Sequence, residues 1–209
     1  MFRFFKDFKW IYVIIDDRIP CVDKSPVFSR CKDPTETWVS LIEKAYAKLH
    51  GCYETLFSGF IDDGLVELTG FVSEKINLHD SDDCFPNPAL GTKDSFWQYM
   101  KMRVQERCLM GCSKSGENVR VEGIVLNEDG LDSGIKYSHA YGILKAFEID
   151  DKKNSGEKIR LVRVRNPWGY GEWKGAWCDE SEEVEEYRDE LTLLMKDDDE
   201  PFNPTEKET

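Results

Sequence analysis

The chain has 209 residues, with 28 Lys+Arg against 41 Asp+Glu, 40% hydrophobic and 12% aromatic residues. This composition excludes a disordered or collagen-like chain. The formal charge of −13, with no Lys/Arg-rich stretch to offset it, excludes nucleic acid as a partner, because a phosphate backbone is repelled. Much of that charge is local: residues 179–209 hold 14 acids against Arg188, Lys196 and Lys207, so they carry −11 and leave −2 elsewhere. Near the N-terminus the longest apolar run, Trp10 to Ile15, meets Asp16 and Asp17 at once, which is too short for an export signal or a transmembrane segment. The seven cysteines (21, 31, 52, 84, 108, 112 and 178) are odd in number and lack C-x-x-C spacing. They read as reduced thiols in a cytoplasmic protein, not as a disulfide framework or a zinc site.

Phe2 to Asp17 predicts a hairpin, with a turn at Lys6-Asp7 and the β-branched run Ile11 to Ile15 closed by Pro20. Asp33-Pro34-Thr35-Glu36 predicts a helix start, with Asp33 as N-cap, Pro34 in the first helical position and Glu36 in the third. Trp38, Leu41, Ile42, Ala45, Tyr46 and Leu49 then follow at helical spacing up to Gly51, a left-handed stop. The polar loop Asp80 to Lys93, with Pro86, Pro88 and Gly91, marks a subdomain junction and precedes a second helix over roughly Ser95 to Cys108. Three strand-like runs follow, Arg120 to Leu126, His139 to Ile149 and Lys158 to Arg165, parted by turns at Gly130 and Gly156 as in an antiparallel sheet. No internal period of a repeat architecture is visible. The class expected is α+β, mixed α/β at first and mostly β later.

Only three histidines are present, so general-base candidates are few. His50 lies in the last turn of the first helix, where an imidazolium favours the dipole, and reads as structural. His79 sits in the junction loop and reads the same way. His139 opens a strand between Ser138 and the small residues Ala140 and Gly142, which leave room beside its ring. Twenty-seven residues later Arg165-Asn166-Pro167-Trp168-Gly169 ends the adjacent strand. Pro167 keeps Asn166 extended, so its amide is displayed with an indole next in line. A neutral amide accepting one imidazole N–H fixes the tautomer and leaves the other nitrogen facing a nucleophile, with Trp168 excluding water. An N-P-W-G turn that simply buries a tryptophan is the alternative at this level.

His139 followed by Asn166 is the downstream half of a Cys-His-Asn thiol protease arrangement. The sequence resembles the papain-like protease core of the calpain family. Ser138-His139-Ala140-Tyr141 is similar to the family's histidine motif, and Arg163 to Gly169 to its asparagine motif. Glu172-Trp173-Lys174-Gly175-Ala176-Trp177, the helix Trp38 to Lys48, the stretch Gly51 to Leu56 and the strand Val13 to Pro20 match further motifs. The likeness spans about residues 2 to 195, with the motifs in the family's order. It implies a partial core: residues 1–78 as the C-terminal part of the Cys subdomain, 79–195 as the mostly antiparallel His/Asn subdomain, and 196–209 as an acidic, disordered tail.

The resemblance implies an intracellular, calcium-dependent endopeptidase acting on protein substrates at limited sites, with upstream and downstream domains of a full-length protein as further partners. His139 would take the thiol proton and return it to the leaving amine, Asn166 would orient His139, and Trp168 would shield their hydrogen bond. Calcium, the expected cofactor, would be bound by Glu172, Asp179, the Met195 carbonyl and Asp197, with Asp199 in doubt because the family's preceding Gly is replaced. Glu54 would belong to a first site whose other ligands lie upstream. The nucleophile is missing: a papain-like Cys lies roughly 130 to 150 residues before the His, and Cys21, the first available, follows Pro20 at a strand end and opens no helix. The simplest expectation is therefore a fragment that is inactive in isolation. A calpain-like binding or scaffolding module without catalysis is the alternative, and a calcium-binding adaptor, for which no EF-hand spacing occurs, is the weakest.

Overall fold

The computed structural model describes residues 1–31, 33–78, 91–115, 123–126 and 130–196. The chain divides into two compact units, Met1–Asn77 and Leu78–Thr209. His79, most of the junction loop, Arg120 to Glu122 and everything after Lys196, Asp197 and Asp199 included, lie outside the described residues.

The first unit begins with the expected hairpin, β1 (Phe2–Lys6) against β2 (Lys9–Val13). Phe2 pairs with Val13, Phe4 with Ile11 and Lys6 with Lys9. The two loop residues, Asp7 (φ 51°) and Phe8 (φ 59°), both adopt the left-handed conformation that a tight two-residue hairpin demands. A short ribbon, β3 (Cys21–Val22) with β4 (Ser25–Pro26), follows. Helix α1 covers Trp38–His50, four residues later than a cap at Asp33 predicts for its start. The Asp33 carboxylate instead accepts the Thr35 N–H at 2.8 Å and the Thr35 hydroxyl at 2.6 Å, closing a local turn that competes with helix. Phe4, Val13 and Ala45 are buried together, with Ile42, Tyr46 and Leu49 packed on them. The apolar stripe of α1 thus covers one face of the hairpin.

A 3-10 turn over Tyr53–Leu56 leads to α2 (Ile61–Thr69), a helix not anticipated from the sequence. Its Glu67 ties three elements together. The carboxylate accepts from Lys6 Nζ at 3.1 Å on β1, and from the Tyr46 hydroxyl and His50 Nε2 (2.8 Å) on α1. Burial works against the Glu67 carboxylate, but these hydrogen bonds outweigh it and hold its pKa below the usual value. Burial, with Glu67 alongside, pushes the Tyr46 phenol up. His50 is thus engaged in the packing of its own unit.

In the second unit Thr92 caps α3 (Lys93–Gln105), its hydroxyl accepting from Ser95 N at 3.1 Å. A three-stranded antiparallel sheet runs β5 (Met110–Ser113), then β6 (Gly123–Leu126) and β7 (Asp132–Tyr137) form a separate pair, and β8 (Ala140–Asp150) and β9 (Lys158–Arg165) complete the main sheet in the order β5-β8-β9. The three strand-like runs of the sequence therefore do not form one sheet. The first pairs with β7, a strand its Asp, Gly and Lys residues had hidden. Trp97 of α3 is buried and donates to Glu148 on β8 at 2.5 Å, while Lys101 pairs with the same carboxylate at 2.6 Å.

Two short helices, α4 (Glu182–Glu186) and α5 (Arg188–Leu194), lie within the stretch that reads as a charge run. Val184, Tyr187, Leu191 and Met195 recur on one helical face and are buried with Ile149, against Phe147, Ile159, Leu161 and Trp177. Burying side chains of this size stabilises by roughly 1.5–3 kcal/mol each, so the acidic stretch is anchored through its apolar stripe. The fold is α+β, as expected.

Candidate active site

His139 and Asn166 sit at the same end of the β8–β9 hairpin, His139 just before the first strand and Asn166 just after the second, where Gly142 is paired with Arg165. Ser138 turns the chain with φ 54° and donates its N–H to Lys114 O at 2.8 Å, delivering His139 into a site where it is only 5% exposed. On the other strand Asn166 O accepts from Gly169 N at 3.2 Å, closing a turn in which Pro167 needs no donor.

His139 Nε2 and Asn166 Oδ1 are 2.8 Å apart. The rest of the Asn166 amide fixes which way it faces. Its Nδ2 donates to Tyr170 O at 2.8 Å and lies 3.5 Å from Gly171 O, while its Oδ1 also accepts the Trp168 N–H at 3.1 Å. An amide oxygen only accepts, so in the neutral ring Nε2 carries the proton and Nδ1 is the basic nitrogen. This is the hydrogen-bond pattern a general base needs if one side of its ring is to be held and the other is to exchange protons.

Three aromatic rings complete the setting. Trp168 lies tilted on His139 with centroids 4.5 Å apart, and Tyr141 meets the ring edge-on at 4.9 Å. Tyr141 is buried, and its hydroxyl accepts the Lys136 N–H at 2.9 Å. It sits two residues beyond His139, and period-2 alternation would have put it on the same face. Trp168 remains 41% exposed and stacks on Tyr170 at 5.4 Å.

The chain beyond this loop is seated on β7. Lys174 N donates to Ser133 O at 2.9 Å, and Lys174 Nζ pairs with Asp132 at 3.0 Å. A Cβ on Gly134 would lie 1.8 Å from Glu172 O, so only glycine lets the two backbones meet. The Gly134 and Lys174 N–H bonds and charge hold the Asp132 carboxyl below its usual range.

Of the other residues singled out from the sequence, Glu172 lies in this segment, Asp179 in the turn before α4, and Met195 directly after α5 with its side chain buried. Glu54 belongs to the first unit, where its own N–H and the Cys52 thiol keep its carboxylate pKa low. Among the described residues no three His, Cys, Asp or Glu side chains gather as a metal cluster. The expected calcium set has only two described acids, Glu172 and Asp179, and would depend on Asp197 for a third.

The described cysteines are free. Cys21 is exposed on β3, its thiol pointing to Ile19 O at 3.3 Å, with no helix N-terminus at its sulfur. Cys112 pairs in register with Tyr141, but burial pushes its thiol pKa up, the opposite of what a nucleophile requires.

The family model for the calpain family cysteine protease matches residues 1–205. The chain belongs to the calpain family. It is 37% identical over 183 residues to a calpain of Schistosoma mansoni, which covers 86% of this chain and 22% of that protein. It is 40% identical over 184 residues to the calpain-type cysteine protease DEK1 of Arabidopsis thaliana, covering 87% and 8% respectively. Calpain-5 of Mus musculus is 33% identical over 209 residues, covering 94% and 31%. This calpain chain thus spans less than a third of the length of these relatives, which are larger proteins.

Proposed function

We propose that this chain carries the proton-transfer part of a calcium-dependent, cysteine-type endopeptidase that cleaves proteins at limited sites in the cytoplasm. The observation that supports it most is the 2.8 Å contact between His139 Nε2 and Asn166 Oδ1, with the amide pinned so that it can only accept. The chemistry is acyl transfer. His139 Nδ1 takes the proton of a cysteine thiol, the thiolate attacks the peptide carbonyl, and the imidazolium then protonates the leaving amine. Water subsequently hydrolyses the thioester with His139 again as base. Asn166 keeps the ring in its productive tautomer through each step, and Trp168 limits access of water to the bond. In this reading the unit Leu78–Thr209 is the His/Asn subdomain and Met1–Asn77 the later part of the Cys subdomain.

The nucleophile is assigned to neither Cys21, which lies on a short exposed strand, nor Cys112, whose thiol pKa burial pushes up. The expected result is that the isolated chain cleaves no casein, with or without calcium and reducing agent. Thiol-dependent cleavage by a variant that keeps Cys21 and lacks the other six cysteines would contradict the reading. A calpain-like binding module without catalysis is the second reading, favoured by the exposed strand position of Cys21 and the burial of Cys112. The retained His139–Asn166 pair favours the first, because a binding module has no chemical use for an oriented imidazole.

Calcium is assigned to Glu172, Asp179, the Met195 carbonyl and Asp197, hard oxygen donors from neighbouring parts of the chain, with weak affinity. Titration into the millimolar range is expected to change the intrinsic tryptophan fluorescence, since Trp173 and Trp177 stand within this segment. An unchanged spectrum would remove calcium from the account without touching His139 and Asn166.

A further inference from the structure

Tyr170 has no part in the chemistry above, yet three observations tie it to the site. It stands between Gly169 (φ 72°) and Gly171 (φ 85°), two left-handed residues that fold the loop back on itself. Its carbonyl receives Asn166 Nδ2 at 2.8 Å, so its backbone is fixed by the same amide that holds His139. Its ring lies nearly parallel to Trp168, at 27° and 5.4 Å, on an indole that itself leans against His139 at 4.5 Å.

The two sides of His139 differ in what secures them. On one side Tyr141 is 6% exposed and held by the Lys136 N–H, so it cannot move without disturbing β7. On the other, Trp168 is 41% exposed, and an indole so open to water has other rotamers within reach. A stacked ring restrains it, and a tyrosine 65% exposed has little reason to lie flat there except that contact.

We propose that Tyr170 is a positioning residue that holds Trp168 over the His139–Asn166 hydrogen bond. This rests on the reading of His139 and Asn166 as the proton-transfer pair. Tyr170 acts through the indole and touches neither reacting atom. Its flat face is what matters, and its hydroxyl is not needed.

The test is proton NMR of the 209-residue chain and its Tyr170→Ala, Tyr170→Phe and Tyr170→Leu variants. The carbon-bound ring protons of His139 feel the ring current of Trp168, so their shifts report where the indole sits whichever nitrogen is protonated. In Tyr170→Ala they are expected to move toward unshielded values, and exchange of the Nε2 proton to quicken about three- to tenfold, the worth of one aromatic pair. Tyr170→Phe should match the parent and Tyr170→Leu should fall between. Unmoved ring-proton shifts in Tyr170→Ala, or Tyr170→Phe behaving like Tyr170→Ala, would overturn the proposal. Backbone signals of Phe147 and Leu161 in the hairpin core show whether a variant is folded, and an unfolded Tyr170→Ala leaves the Phe and Leu variants to decide. A parent chain with the proton on Nδ1 would instead refute the underlying reading of the pair, while its ring-proton shifts still report on Tyr170.

Discussion

Gly134→Ala is expected to destabilise the second unit by about 3 kcal/mol and to lower its melting temperature by about 10 °C. Two costs add. The residue has φ 84°, which a side chain tolerates only with strain of about 1–2 kcal/mol. The new Cβ would also lie 1.8 Å from Glu172 O, 2.7 Å from Glu172 C and 3.1 Å from Trp173 Cα. All three are main-chain atoms that no rotamer change can move aside, so the 172–174 segment itself must shift. That shift runs directly into Gly171 and Tyr170, whose carbonyls face Asn166 Nδ2. Gly130 is the control, because it has a similar φ of 75° and a Cβ there meets nothing within 4 Å among the described residues. Gly130→Ala should therefore cost only about 1 kcal/mol. Thermal unfolding of the two variants beside the parent measures the difference. Equal melting temperatures for both would show that β7 does not seat the 172–174 segment.

Asn166→Ala is the variant that should most damage the site. It removes the acceptor of a nearly buried imidazole N–H, which costs about 1–3 kcal/mol when no water replaces it. It also frees the loop, since the one Asn166 amide bonds His139, the Trp168 N–H and the Tyr170 carbonyl together. Peptide hydrolysis that depends on this pair is expected to fall by about a hundredfold or more. In the chain itself the variant should melt earlier than the parent and show His139 ring signals broadened by motion. Unchanged melting together with unchanged ring signals would mean that the amide neither stabilises nor orients the histidine.

Much of the site could be read from sequence because its two polar partners flank one hairpin. Lys158–Arg165 alternates Ile159 and Leu161 inward with Lys158 and Arg160 outward, and the short Gly156 turn forces that strand back along its predecessor. Residues just outside the paired ends are then neighbours, whatever the rest of the chain does. The ring contacts of Tyr141, part of the histidine motif, and of Tyr170 are not legible in the sequence, since an aromatic there looks like ordinary packing until its ring is seen to face another. The hairpin Phe2–Val13 was legible for the same reason as the later one. α1 starts later than the sequence predicts because Asp33, a good cap by type, satisfies Thr35 instead of an entering helix.

Other elements were hidden by charge. In α2, Asp62, Asp63 and Gly64 interrupt the apolar spacing, and only Gly70 closing the last turn, its N–H donating to Val66 O at 2.8 Å, marks a helix end. Between 179 and 196 eight of eighteen residues are acidic, yet Val184, Tyr187, Leu191 and Met195 fall at steps of three and four. That spacing is legible in the sequence, although the surrounding charge masks it.

The account stands on the protonation of one ring. Long-range nitrogen–proton NMR of the chain, labelled with 15N-histidine and held above the pH at which the imidazole is charged, distinguishes the two neutral tautomers of His139. The account predicts the proton on Nε2, donated to Asn166 Oδ1, with that pattern lost in Asn166→Ala. A neutral His139 carrying its proton on Nδ1, or one whose signals do not notice the loss of Asn166, would contradict it.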